Sequence, residues 1–192
     1  MTSSDLQASE RRVLFQVLAL NILLVVGLAI AGIIGDSSGL IANALDNASD
    51  SVVYAISVFA LGRGARWKTR AARVSGVLLL LFALGVLFDA WRRYTSGAEP
   101  VGPMMIGLGV VSAAINLLCV RLLRRVTTDD VNIRAATTFS ANDAVSNAGI
   151  VVAGVLVAWT GRMWPDLVVG VAVALVAVWG GIEILRDARR TE

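Results

Sequence analysis

Apolar residues run along this chain in six long blocks separated by short polar breaks. The first extends from Val13 to about Gly35, and the others cover about 40–61, 74–91, 101–123, 135–159 and 167–185. Each is close to the roughly 20 residues an α-helix needs to cross the hydrocarbon core of a bilayer. The breaks hold turn formers, and Gly35-Asp36-Ser37-Ser38-Gly39 and Thr160-Gly161-Arg162 are expected to be tight turns. The pattern predicts an all-α polytopic membrane protein, a six-transmembrane-helix bundle forming one domain over 1–192. The first block also resembles a signal peptide at Ala29-Ile30-Ala31, but it is too long for one and continues through Ile33 and Ile34, so an uncleaved span is expected. Within it, Gly27, Ala31 and Gly35 form a small-residue stripe expected to allow close helix packing.

Composition agrees: 57% of the 192 residues are hydrophobic and the mean hydropathy is +0.75. A soluble domain needs a more polar skin. Fourteen of the 17 basic residues fall on alternate connections and the termini, from Arg11 and Arg12 through Arg63–Arg73 and Arg121–Arg134 to Arg186–Arg190. Only Arg92, Arg93 and Arg162 fall on the others. The positive-inside rule then places both termini in the cytoplasm. The run Arg63–Arg73 reads as an orientation signal and a lipid-headgroup contact, not a nucleic-acid patch. The lipid bilayer is the expected partner, and nucleic acid is not. Trp67, Trp91, Tyr94, Trp159, Trp164 and Trp179 stand at or near block ends, where amphipathic rings favour the headgroup layer. With no histidine and a single Cys119, neither a disulfide framework nor a Cys/His zinc cluster is available.

Three acids sit where the lipid should exclude them: Asp46 and Asp50 in the second block and Asp143 in the fifth. A charge near the bilayer centre costs a few kcal/mol, so it needs a partner or a task. No lysine or arginine lies well inside a span, whereas Asp89, nearer a helix end, has Arg93 four residues on. Asp46 and Asp50 share a helix face. Asp50 lies ~18 Å and Asp143 ~22 Å from the outer ends of their helices at 1.5 Å per residue. If the second and fifth helices pack together, three carboxylates share one hollow, with Asn43, Asn47, Ser140, Asn142, Ser146 and Asn147 around it. Three close carboxylates in low dielectric cannot all stay charged without protons or a dication among them. Such a site suits proton-for-metal exchange. The bland alternative is that protonated aspartates and nearby amides only bond helix to helix.

The run Gly39-Leu40-Ile41-Ala42-Asn43-Ala44-Leu45-Asp46-Asn47-Ala48-Ser49-Asp50 resembles the second helix of the cation diffusion facilitator family, with Asp46 and Asp50 on its H/D-x-x-x-D pair. Asp143-Ala144-Val145-Ser146-Asn147-Ala148-Gly149-Ile150-Val151-Val152 resembles the second half-site. The resemblance implies a secondary transporter, not an enzyme, that exports zinc, cobalt, cadmium, iron or manganese from the cytoplasm. The metal ion and protons are then substrates, and no cofactor is expected. A bacterial plasma membrane is the expected location. The expected metal residues are Asp46, Asp50 and Asp143, on the positions the resemblance marks, together with Asn142 and Asn147. Two features depart from the family. Phe139 stands where the fifth-helix pattern usually has a ligand, leaving Asn142, Ser140, Asn147 or water to complete the site. Many members also carry a cytoplasmic C-terminal domain that holds a dimer. This chain stops soon after its sixth span and is expected to lack it, so a homodimer is only admitted. An all-oxygen site leans towards harder ions such as manganese or iron(II).

Two rivals use the same residues. A proton-driven exporter of an organic cation needs aromatic residues lining the cavity, for which Phe139 and Tyr54 are the nearby candidates. A non-transporting scaffold needs no cavity at all. An intramembrane aspartyl protease is disfavoured, because the chain has no Gly-x-Gly-Asp segment.

Overall fold

The computed structural model describes residues 3–60, 65–125 and 131–190. They form six helices: α1 Ser3–Ile34, α2 Ser38–Ala60, α3 Ala65–Ser96, α4 Gly102–Leu123, α5 Val131–Thr160 and α6 Trp164–Arg190. Each covers one apolar block, and α1, α3, α5 and α6 run past its boundary into polar sequence. A helix satisfies its own backbone polar groups, so nothing obliges it to stop where the lipid does. Leu61, the expected end of the second block, and Arg63 lie outside the described residues. So do the side chains of Arg66, Trp67, Lys68, Arg70, Arg134, Phe139, Arg189 and Arg190.

Four helices, among the described residues, contain stretches long and apolar enough to cross a membrane: Arg11–Ile34, Gly102–Leu123, Ser140–Thr160 and Trp164–Arg186. The bundle also wears an apolar skin. Ile33, Leu84, Val145, Val152 and Val176 are all exposed, which suits a lipid solvent. Trp91, Tyr94, Trp159 and Trp164 are exposed near one end of the bundle, as expected of an interfacial belt.

That end is where three connections meet. The Val101 N–H donates to the Gly35 carbonyl (3.1 Å), and the α2 start binds Asp166 of α6. The α1–α2, α3–α4 and α5–α6 connections therefore lie together, and successive helices alternate in direction. The first turn is shorter than the sequence suggests, because α2 has already begun at Ser38. Asp36, not a glycine, takes the left-handed conformation there (φ 48°), one that short polar side chains tolerate. Its carboxylate accepts from Arg93 and from the Glu99 N–H (3.2 Å).

The helices pack chiefly in the pairs α1–α2, α3–α6 and α4–α5. Along the Gly27, Ala31 and Gly35 stripe, Gly27 has no atom within 4 Å of a would-be Cβ, whereas Ala31 packs against the core and Gly35 presses on Met104. The close seam is on α4–α5. A Cβ on Gly102 would stand 2.7 Å from both the Gly154 carbonyl oxygen and the Ala158 nitrogen. Both are backbone atoms and cannot step aside. Gly102→Ala is therefore expected to destabilise the protein by about 1–3 kcal/mol, read as a lower unfolding temperature in detergent. Unchanged stability would mean that α4 and α5 are not so close.

Candidate metal centre

The local sequence of α2 makes one polar stripe within an apolar helix. Asn43, Asp46, Asn47 and Asp50 recur at three- and four-residue spacing and so share a face. That face turns inward: Asn43 is 1% exposed, Asn47 is 0% exposed, and Asp50 is buried. On α5, Ser140, Asp143 and Asn147 follow the same spacing and are buried too. The two stripes meet. Asn43 Nδ2 donates to Asn147 Oδ1 (2.6 Å), Asn47 Nδ2 donates to the Asn43 carbonyl (2.9 Å), and Asn147 Nδ2 donates to the Asp143 carbonyl (2.8 Å).

Towards the basic end of the molecule the helices part around a cavity of about 330 Å³. Asp46, Ser49 and Asp50 line it from α2, Asn142 and Asp143 from α5, Phe82 from α3, and Trp179 and Glu183 from α6. The Asp143 carboxyl faces the same cavity as Asp46 and Asp50 and acts electrostatically on both. Two carboxylates cannot satisfy each other, since an ionised carboxylate only accepts. Such an arrangement becomes favourable when a proton or a cation is shared. Without one, Asp143 Oδ2 is buried and has no partner. Asn47 Oδ1 is likewise buried and unpartnered. Among the described residues, no three acidic or cysteine side chains close on a single point as a bound metal would require.

The expected metal residues thus fall into two groups. Asp46, Asp50, Asp143 and Asn142 all line the cavity. Asn147 stands outside it, with its Oδ1 accepting from Asn43 of α2 and its Nδ2 donating to the Asp143 carbonyl of its own helix. Its amide ties the two helices together.

Several roles were not expected from the sequence. The Tyr54 hydroxyl lies 3.2 Å from Asp50 Oδ2 and 3.3 Å from Ser140 Oγ, so it orients the carboxyl from behind. Its position four residues after Asp50 was the available signal. Among the described residues, the aromatic side chains lining the cavity are Phe82 and Trp179, not Tyr54, which is buried behind Asp50. They come from α3 and α6, whose packing no periodicity reveals. Glu183, towards the end of α6, lines the cavity as well. Tyr54→Phe keeps the ring and removes the hydroxyl. It is expected to weaken metal binding severalfold with little change in stability, as measured by metal titration of the purified protein. Unchanged affinity would confine Tyr54 to packing.

At the opposite end a second polar cluster fixes α2. Asp166, in the first turn of α6, accepts from Ser37 Oγ (2.5 Å), the Ser38 N–H (2.7 Å) and the Gly39 N–H (3.0 Å). A carboxylate from another helix thus occupies the N-terminus of α2, where free N–H groups and the helix dipole favour negative charge. Arg93, 3% exposed, donates to Asp89 (2.6 Å) and to Asp36. The Asp89–Arg93 pair is thus present at its i,i+4 spacing, and Arg93 also acts electrostatically on Asp166. Charges from α3 and α6 hold the top of the helix that carries Asp46 and Asp50.

A six-helix bundle with paired acids on α2 and a third on α5 has relatives. The family model described as the cation efflux transmembrane domain matches residues 14–191. This chain belongs to the cation efflux family. It is an integral membrane protein, and its six helices carry that family's transmembrane domain. Among curated cation efflux relatives, the cadmium, cobalt and zinc/H(+)-K(+) antiporter of Bacillus velezensis is 24% identical over 174 residues, covering 83% of this chain and 56% of that protein. The metal cation efflux system protein CzcD of Cupriavidus metallidurans is 24% identical over 185 residues, 90% of this chain and 58% of that protein. The zinc transporter ZitB of Escherichia coli is 25% identical over 124 residues, 64% of this chain and 40% of that protein. The match spans little more than half the length of the first two relatives, and it coincides with the cation efflux transmembrane domain.

Proposed function

We propose that this chain is a secondary transporter that moves a divalent transition-metal cation out of the cytoplasm in exchange for protons. One observation carries the reading: Asp46 and Asp50 of α2 and Asp143 of α5 line a single cavity, with Asp143 Oδ2 buried and without a partner. Either protons or a dication relieves that crowding, and each displaces the other. Asp46, Asp50 and Asp143 are the charged ligands, and Asn142 offers a neutral oxygen beside them. The cavity lies in the half of the bundle nearer the basic connections, the cytoplasmic half by the positive-inside rule. Metal binding from the cytoplasm releases protons. After the bundle opens to the other side, reprotonation releases the metal. The names of the relatives support zinc, cadmium or cobalt as cargo, and the oxygen-only donor set keeps manganese and iron(II) within the class.

Purified protein in liposomes with an acidic lumen and a trapped metal-sensitive dye tests the reading. Outward movement of protons should drive zinc, cadmium, cobalt or manganese inwards, and a protonophore should abolish the acceleration. Flux insensitive to the pH gradient would remove proton exchange. No metal flux at any gradient would overturn the proposal. Phe82 and Trp179 in the cavity wall favour one alternative, an aromatic organic cation as cargo. It predicts that such a cation moves in the same liposomes and that metals do not.

A further inference from the structure

Glu183 is the fourth acid of the cavity and lies outside the three-aspartate cluster. It stands on α6 about 29 Å from Trp164 at 1.5 Å per residue, near the far edge of a hydrocarbon core of roughly 30 Å. Its side chain is exposed at the cavity wall, one turn beyond Trp179. Among the described residues it forms no ion pair or hydrogen bond. Deeper in the same cavity, Asp143 is 5% exposed and keeps Oδ2 without a partner. An exposed, uncommitted carboxylate at the mouth and a buried, unsatisfied one inside make a graded path for a dication.

We propose that Glu183 is the cytoplasmic docking ligand, which captures a hydrated divalent cation at the cavity mouth and passes it to Asp50 and Asp143. The proposal rests on the reading of this chain as a metal exporter. A carboxylate beside a low-dielectric wall focuses its field into the cavity and raises the local concentration of a doubly charged ion. One exposed carboxylate holds such an ion weakly, because most of the water shell stays in place. The ion is gathered but not trapped. Trp179, on the preceding turn, lines the same wall.

Transport kinetics from the Glu183 side of liposomes, with zinc as the probe, test this. Glu183→Gln should raise the half-saturating zinc concentration about tenfold, within the range expected of charge steering, and leave the maximal rate unchanged. Raising the ionic strength should shrink the difference, since salt screens an exposed charge, and Glu183→Asp should recover most of the wild-type value. Wild-type half-saturation in Glu183→Gln, in protein that transports zinc, would overturn the docking role alone. So would a reduced maximal rate with unchanged half-saturation. A wild-type protein that moves no zinc or other metal would overturn the exporter reading and this proposal with it. Asp50→Asn, run in parallel, should lose flux at every zinc concentration, whereas Glu183→Gln recovers at saturation.

Discussion

Asp143→Asn is expected to abolish metal flux while leaving the protein as stable as before or more so. Asp143 is the α5 carboxyl that shares the cavity with both acids of α2 and acts electrostatically on them, so it contributes the charge repulsion as well as the ligand. An asparagine of the same shape removes one charge and adds an N–H₂ donor, which Asp46 or Asp50 can accept. Replacing a crowded buried charge by a neutral isostere of similar volume is often neutral or stabilising. Metal binding has the opposite dependence. Removing one charged ligand from a buried site is worth about 3 kcal/mol, a factor of about 100 in affinity. The prediction therefore pairs an unfolding temperature at or above wild type with at least a hundredfold loss of zinc affinity. A packing role alone would lower both together or leave binding untouched.

The second large effect is expected far from the cavity. Asp166→Ala removes the acceptor of three hydrogen bonds from Ser37, Ser38 and Gly39. Ser37 and Ser38 are 0% exposed, so water cannot easily replace the lost partner. Two helix N–H groups and a hydroxyl remain buried and unpaired, and Arg93 loses a compensating charge. Leaving buried donors unsatisfied costs about 1–3 kcal/mol each, so a total of roughly 3–5 kcal/mol is expected. Thermal unfolding in detergent reads this directly. Asp166→Asn keeps one acceptor oxygen and should lose about half as much. In the protein that remains folded, the half-saturating metal concentration should stay near wild type, because Asp166 holds the top of α2 and does not touch the cavity. A large change in metal affinity without loss of stability would refute that division.

Much of this was legible because a membrane simplifies the sequence. An apolar solvent forces the backbone into helices, so the blocks named the elements, and acids in those blocks stood out because lipid penalises them. The spacing of Asp46, Asp50 and Asp143 therefore pointed to one hollow before any fold was known. Glu183, Phe82 and Trp179 were hidden because they reach the cavity from α3 and α6, and no local pattern states which faces of separate helices meet. Asn147 shows the limit of spacing in another way. It shares the face of Asp143, yet its amide is taken up by Asn43 and by the Asp143 carbonyl. The Asp166 clamp was hidden for a simpler reason: a carboxylate 128 residues from Ser38 carries no sequence mark of the helix it caps.

Proton release on metal binding is the most direct test of the exchange. Zinc titrated into purified, weakly buffered protein with a pH indicator should release one to two protons per bound ion, and zinc affinity should fall as pH falls. The Asp143→Asn protein should show neither. Zinc that binds in the cavity with no proton release, and with the same affinity between pH 6 and 8, would contradict the exchange.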